Sequence, residues 1–292
     1  MAYKSGFVNI IGNPNVGKST LMNAMVGDQV SIITSKVQTT RHRIIGIVTG
    51  PQYQIVYSDT PGILDPKYKL QEAMLRAVSS ALIDADILLL VTDPRDSQIK
   101  NSKLLSRLLQ AEVPTILLMN KIDRAKETDI QEALKEWKNR LPRAEPLLIS
   151  ALKRTNLDVL QKKILAILPE NPAYFPDGQL TDRTERFLVS EMIREKILLH
   201  YHQEIPYAVQ VEVDSFKEEV QIIRISAKIF VARESQKRIL IGHKGQALKI
   251  VGTEARKDIE AFMNKKVFLE LFVKVQKDWR DNERQLRKWG YV

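Results

Sequence analysis

Cysteine is absent from all 292 residues. Its absence excludes disulfides, thiolate metal sites and cysteine nucleophiles, and it fits a reducing cytosol. Long apolar runs are also missing: none reaches the length needed to span a bilayer, and Met1-Ala2-Tyr3-Lys4-Ser5-Gly6 has no apolar signal core. No internal repeat and no low-complexity tract is present. What remains is a soluble, cytoplasmic protein long enough for two ordinary domains, each with its own core. The net charge of +10 points to an anionic partner. Its densest stretch is Arg224–Lys257, with nine Lys or Arg against only Glu234 and Glu254.

Against this background one segment stands out. Gly12-Asn13-Pro14-Asn15-Val16-Gly17-Lys18-Ser19, followed by Thr20, has the spacing of a phosphate-binding loop. Glycines let the backbone turn its N–H groups toward a polyphosphate. Lys18 adds a point charge and the Ser19 hydroxyl can ligate Mg²⁺. Phe7–Ile11 reads as a buried strand before the loop, and a helix starting at Ser19 would aim its N-terminus at the phosphates.

Residues 1–168 alternate short apolar runs (Ile55–Tyr57, Ile87–Val91, Thr115–Met119, Leu147–Ile149) with helical periods. The last helix places Leu157, Leu160, Ile164 and Ile167 on one face. Runs of this kind are strands covered on both faces, so the expected fold is α/β with a doubly wound parallel sheet and ligands at the C-terminal strand ends. Residues 169–181, rich in proline, read as a linker. Residues 182–292 change order to α-β-β-α-α-β: a helix over Thr184–Tyr201 with Phe187, Ile193, Ile197 and Leu198 inward, strands Ala208–Val213 and Gln221–Phe230, helices Glu234–Ile241 and Gln246–Met263, a strand Val267–Val275 and a charged helical tail from Trp279.

Each strand end of the first domain carries a further element of GTP chemistry. Asp59-Thr60-Pro61-Gly62 offers a carboxylate to hold Mg²⁺ through water and a Gly62 N–H to sense a γ-phosphate. In Asn120-Lys121-Ile122-Asp123, the Asp123 carboxylate can accept both guanine N1–H and N2–H₂, donors that adenine lacks. Ser150-Ala151-Leu152 can offer a backbone N–H to guanine O6. Four motifs in order, each at a strand end, predict GTP and GDP as ligands. Between the first two lies Gln38-Thr39-Thr40-Arg41-His42-Arg43, where a switch threonine for Mg²⁺ is expected, Thr40 rather than Thr39. Arg41 and Arg43 read as solvated switch charges rather than arginine fingers. Ile63 stands where Ras-like enzymes carry the glutamine that orients the attacking water, so the nucleophile must be positioned otherwise. This resembles the hydrophobic-substituted GTPases, which include potassium-activated members with an asparagine in the phosphate loop; Asn15 occupies that place and is the candidate K⁺ ligand. The expected catalytic set is Lys18, Asn15, Thr40 and Gly62, with no general base.

In the second domain Gly242-His243-Lys244-Gly245 joins two helices inside the basic window. His243 and Lys244 are expected to be exposed, with Ile241, Ile250 and Val251 as an apolar floor under splayed bases. One GTPase domain followed by this loop resembles the Era family of bacterial GTPases over essentially the whole chain, and residues 182–292 resemble a type II KH domain, α+β in class, whose G-x-x-G loop clamps single-stranded RNA. The RNA-contacting set is then Arg224, Lys228, Lys237, Arg238, Ile241, Gly242, His243, Lys244, Gly245 and Lys249. The resemblance implies binding of the 3′ end of 16S ribosomal RNA, a role in small ribosomal subunit assembly and peripheral association with the inner membrane. The competing reading is a signalling GTPase acting at a membrane or on a protein partner. Trp279 and Trp289 are expected either to stack on bases or to dock the tail.

Overall fold

Residues 2–96, 98–99, 101–142 and 146–291 are described by the structure, a computed structural model. The chain forms two compact units, one of Met1–Ser31, Thr40–Lys67 and Gln71–Asp182, the other of Ile32–Thr39, Tyr68–Leu70 and Arg183–Val292.

The first unit runs β1 (Lys4–Ile11), α1 (Lys18–Val26), β2 (Ile44–Gly50), β3 (Tyr53–Asp59), α2 (Lys69–Ile83), β4 (Ile87–Thr92), α3 (Ser102–Leu109), β5 (Thr115–Met119), α4 (Glu127–Arg140), β6 (Leu147–Leu148) and α5 (Leu157–Ile167). The sheet order is β2-β3-β1-β4-β5-β6. From β3 to β6 all pairings are parallel, and Leu88, Leu89 and Leu90 of β4 are fully buried, as a strand covered on both faces must be. The sheet is not wholly parallel, however: β2 is antiparallel to β3 and forms the edge. Sequence patterning gave no strand there because β2 is only half covered and its apolar run is broken by Gly46. That glycine has a packing reason, since a Cβ on it would meet Val26 Cγ2 of α1 at 2.7 Å.

Two further expectations change. Ile167 is exposed, and Leu168 rather than Ile167 completes the buried face of α5. The segment after α5 is irregular but is no free linker. Gln54, fully buried on β3, accepts the Tyr174 and Phe175 N–H groups at 2.8 and 2.9 Å and donates to Phe175 O at 2.8 Å. Ser5 Oγ donates to Pro172 O at 2.5 Å, and the Tyr174 ring packs 4.9 Å from Phe7.

The second unit runs α6 (Glu185–His200), α7 (Ile205–Ala208), β7 (Gln210–Glu218), β8 (Ile222–Val231), α8 (Glu234–Ile241), α9 (Gln246–Met263), β9 (Lys266–Val275) and α10 (Glu283–Lys288). Its sheet is β7-β8-β9, antiparallel then parallel. Thr184 caps α6 by accepting from Phe187 N–H at 3.3 Å. Val189, Ile193, Ile197, Ile223, Ile225, Ala227, Ile229, Val251, Ala255 and Ile259 form the core. Phe187 is only half buried, beneath the Arg183 guanidinium 4.9 Å from its ring. The tail is docked by both tryptophans. Trp279 is fully buried and donates to Ala208 O at 3.1 Å, while Trp289 donates to Glu212 Oε2 at 3.0 Å and packs 5.1 Å from Phe230. The Trp279 ring is therefore closed to base stacking, whereas the Trp289 ring docks the tail with part of its surface exposed.

Candidate functional site

The phosphate loop follows β1 directly. Gly12 and Gly17 have positive φ, +154° and +98°, and a Cβ at Gly17 would lie 2.3 Å from Asn120 Nδ2. Two glycines are therefore required by backbone conformation and close approach together. Lys18 lies buried across the loop, donating to Gly12 O at 3.1 Å and Asn13 O at 2.8 Å. Burial lowers its pKa to about 8, partly offset by Asp59, while Lys121 lowers it further. These carbonyl bonds satisfy the ammonium within the loop.

At the start of α1, Ser19 Oγ donates to Asp59 Oδ2 at 2.6 Å and lies 2.9 Å from Thr40 Oγ1, which itself donates to Asp59 Oδ2 at 3.2 Å. All three expected Mg²⁺ groups meet at one point. Thr39 does not join them, since its hydroxyl pairs with Thr34 and Lys36 O at 2.6 Å. Asp59 is fully buried, its Oδ1 has no partner among the described residues, and burial raises its pKa against the pull of Lys18 and three hydroxyls. An orphaned carboxylate oxygen beside clustered hydroxyls suits a hard divalent cation that takes oxygen ligands. The third hydroxyl is Ser31, 2.9 Å from Asp59 Oδ2, a residue no sequence motif marked. Asn23 of α1 fixes it by bonding the Val30 and Ser31 backbone.

Gly62 has no Cβ because Pro14 of the phosphate loop would meet one at 2.6–2.7 Å. Ile63 is buried in the core and its N–H donates to Gly12 O at 3.1 Å, so its side chain cannot touch an attacking water. Arg41 and Arg43 are not the freely solvated charges expected. Arg41 is buried, and Arg43 donates to Ser58 Oγ at 2.6 Å, Asp84 Oδ2 at 2.5 Å and Asn9 Oδ1 at 3.2 Å. Arg43 is a structural clamp on β3, which explains why switch charge could not be read from its exposure.

The guanine side is built around Asn120. Its Nδ2 donates to Val16 O at 2.8 Å and its Oδ1 accepts from Ala151 N–H at 2.9 Å, tying the phosphate loop to the loop after β6. Ala151 N–H is thus engaged within the protein. Asp123 accepts from Ser150 Oγ at 2.6 Å, which orients its carboxylate. Lys121, in the left-handed region at φ 64°, donates to Asn15 O and pairs with Asp93 at 3.1 Å. Asp93, at the end of β4, was not legible as a site residue; Arg95 and Lys121 hold its pKa down against burial. Leu152 is exposed.

In the second unit, residues 32–39, which lead into the expected switch, are held by α6. Ile33 N–H donates to Glu195 Oε1 at 3.0 Å, and buried Arg194 donates to Thr39 O at 2.5 Å. The G-x-x-G loop turns with Gly242 and Gly245 at φ +73° and +77° and leaves His243 and Lys244 exposed. Beside it lies a groove of about 350 Å³ walled by Gly245, Leu248, Lys249, Gly252, Thr253 and Arg256 of the α9 side and by Leu269 and Leu271 of β9. The expected floor is corrected here. Val251 is fully buried in the core, Ile250 is exposed away from the lining, and Ile241 is half buried, whereas Leu248, Leu269 and Leu271 form the apolar wall. Arg224 and Lys228 are also displaced from the groove. They alternate with core residues Ile223, Ile225, Ala227 and Ile229, and lie on the opposite sheet face, where Arg224 sits 5.5 Å over the Phe268 ring and Lys228 pairs with Asp214 at 2.5 Å.

Comparison with known proteins agrees with both halves. Residues 7–121 match a family described as 50S ribosome-binding GTPase, and residues 204–280 match the KH domain family. The chain is 46% identical to GTPase Era of Caldanaerobacter subterraneus, covering 100% of this chain and 99% of that one, and 44% identical to GTPase Era of Pseudomonas aeruginosa over 99% and 95%. It superposes on an Aquifex aeolicus Era variant bound to GDP·AlF4⁻ with a TM-score of 0.94 at 37% identity, covering 99% of each chain. A second structure, Era with MgGDPNP and nucleotides 1506–1542 of 16S ribosomal RNA, gives a TM-score of 0.95 at 37% identity and the same coverage.

Proposed function

The chain belongs to the Era family of GTPases, and from that membership we propose that it binds the 3′ end of 16S ribosomal RNA in a nucleotide-dependent manner during assembly of the small ribosomal subunit. It is a GTP-binding hydrolase that converts GTP to GDP and phosphate. A relative bound to MgGDPNP and to nucleotides 1506–1542 of that RNA supports both ligands. No helix among the described residues is long and apolar enough to cross a membrane; the membrane association implied by the resemblance would be peripheral.

The observation that carries the reading is the meeting of Ser19, Thr40 and Asp59 on one point. Thr40 comes from the switch segment and the other two from the fixed frame, so an ion held at this point would tie the switch to the phosphate loop. Ser19, Thr40 and Asp59 would hold Mg²⁺, which would supply charge neutralisation at the nucleotide's phosphates. Lys18 exchanges two loop carbonyls for phosphate oxygens. Asp123 accepts the guanine N–H donors, while Asn120 keeps the two loops in register. Catalysis here is positioning and electrostatics, with no side chain abstracting a proton. Because Ile63 is sequestered in the core, we infer that K⁺ held by Asn15 and the switch backbone supplies the charge that an arginine finger supplies elsewhere.

The test is the affinity for a single-stranded oligonucleotide matching the 3′ end of 16S ribosomal RNA, in KCl, with GDP and with a non-hydrolysable GTP analogue. Tight binding only with the analogue is expected. Equal binding in both states would refute the gating and move the partner to a protein or a membrane surface.

A further inference from the structure

Gly252 occupies an unusual place. It is the seventh of eighteen residues in α9, a helix interior, where glycine is less favourable than every residue except proline. Its backbone is not left-handed, so no conformation demands it. No backbone approaches it either: a Cβ there would meet only Leu271 Cδ1, at 3.2 Å, and Leu271 Cγ, at 3.9 Å. Those atoms are the far end of a flexible, half-buried side chain on β9. The unit's own packing therefore gives little reason for a glycine, and helix formation gives a reason against one. The space it leaves belongs to the groove. From Gly245, just before α9, the residues Lys249, Gly252 and Arg256 follow at helical spacing on the groove wall, so Gly252 is a bare patch between two cations and opposite Leu269 and Leu271.

We propose that Gly252 is the specificity-determining residue of this groove: by baring one turn of α9 it admits the flat face of a single RNA base between the helix backbone and the Leu269–Leu271 wall. The backbone of that nucleotide runs past the G-x-x-G loop, with exposed Lys244 and Lys249 facing its phosphates and Arg256, paired with Glu260 at 3.0 Å, beside them. A side chain at position 252 would fill the slot by itself and by turning Leu271 into it. The inference rests on the RNA-binding function proposed above and adds to it a residue, a slot and a consequence of opposite sign for folding and for binding.

The experiment uses the full chain with the non-hydrolysable GTP analogue. Wild type, Gly252→Ala and Gly252→Leu are titrated with the single-stranded oligonucleotide matching the 3′ end of 16S ribosomal RNA, and with versions in which one base at a time is removed and the sugar–phosphate kept. In wild type, removal at one position is expected to weaken binding about tenfold, roughly 1.4 kcal/mol. Gly252→Ala is expected to melt a few degrees higher than wild type, to bind the intact oligonucleotide about tenfold more weakly, and to be indifferent to removal of that base. Gly252→Leu should bind more weakly still. If Gly252→Ala melts lower than wild type, the glycine serves packing and the proposal is wrong. It is equally wrong if the variant binds with wild-type affinity or keeps the full base-removal penalty. Failure of wild type to bind the intact oligonucleotide would instead overturn the function proposed for the unit, a separate result from any of these.

Discussion

Replacing Gly17 by alanine tests the geometry of the nucleotide site more severely than removing a charge would. Two costs arise. At φ +98° an L-residue is strained by roughly 1–2 kcal/mol. The added Cβ would also lie 2.3 Å from Asn120 Nδ2, a contact no real methyl group tolerates, so Asn120 must move. Moving it breaks the bonds to Val16 O and from Ala151 N–H. At about 1 kcal/mol per neutral hydrogen bond, that loss adds about 2 kcal/mol. The sum, roughly 3–4 kcal/mol, is a cost to the folded arrangement, and if nucleotide binding requires Asn120 back in place it lowers affinity by up to 10²–10³-fold. Titration with a fluorescent GDP analogue reads this directly. A control comes from Gly245→Ala, also at positive φ, +77°, but with open space where its Cβ would go. It should cost about 1–2 kcal/mol of strain alone and leave GDP affinity untouched. If Gly17→Ala bound GDP within about threefold of wild type, the linkage between the phosphate loop and Asn120 would be wrong.

Titration of Lys18 gives a pH signature. Its pKa of about 8 in the nucleotide-free protein lies below the usual lysine value, so from there upward the unfolded chain holds the proton that the folded chain has released. Stability of the nucleotide-free protein should therefore rise with pH above about 8, whereas nucleotide affinity, which needs the charged ammonium, should fall. A flat GDP affinity between about pH 7 and 9 would contradict the placement. Arg43→Ala should cost about 2–3 kcal/mol of unfolding free energy in denaturant titration through its lost bonds to Ser58, Asp84 and Asn9, with kcat within about threefold of wild type. A fall in kcat of about 10³ at unchanged stability would make it an arginine finger instead. Replacing KCl by NaCl should slow hydrolysis in wild type; an unchanged rate would remove K⁺ from the mechanism.

Sequence patterning read the strand ends well because chemistry and covering coincide there: three of the nucleotide motifs follow the inner strands β1, β3 and β5, and the fourth follows the short edge strand β6 at buried Ile149. It failed where an element is covered on one face only. β2 looks like loop because Gly46 interrupts its apolar residues, yet the interruption exists so that α1 can pass at close range. The basic window misplaced Arg224 and Lys228 for a different reason. Counting charge along the chain ignores strand parity, and both residues fall on the face opposite the inward Ile223, Ile225, Ala227 and Ile229. Ser31 and Asp93 were invisible because each acts on another site residue rather than on the nucleotide pattern itself.

The fastening of residues 169–180 has a practical bearing on how the N-terminal unit can be cut. Buried Gln54 and Ser5 spend their hydrogen-bonding capacity on Phe175, Tyr174 and Pro172, and β2 receives an edge partner from Leu180 O, 2.8 Å from Ile47 N. A fragment ended at residue 168, after the last helix, would leave a glutamine amide, a serine hydroxyl and the Phe7 ring facing water where they now face chain. A fragment ended at residue 182 keeps all of them satisfied. Protease mapping should accordingly find the first durable N-terminal core ending close to Asp182, with the proline-rich stretch protected in spite of its composition.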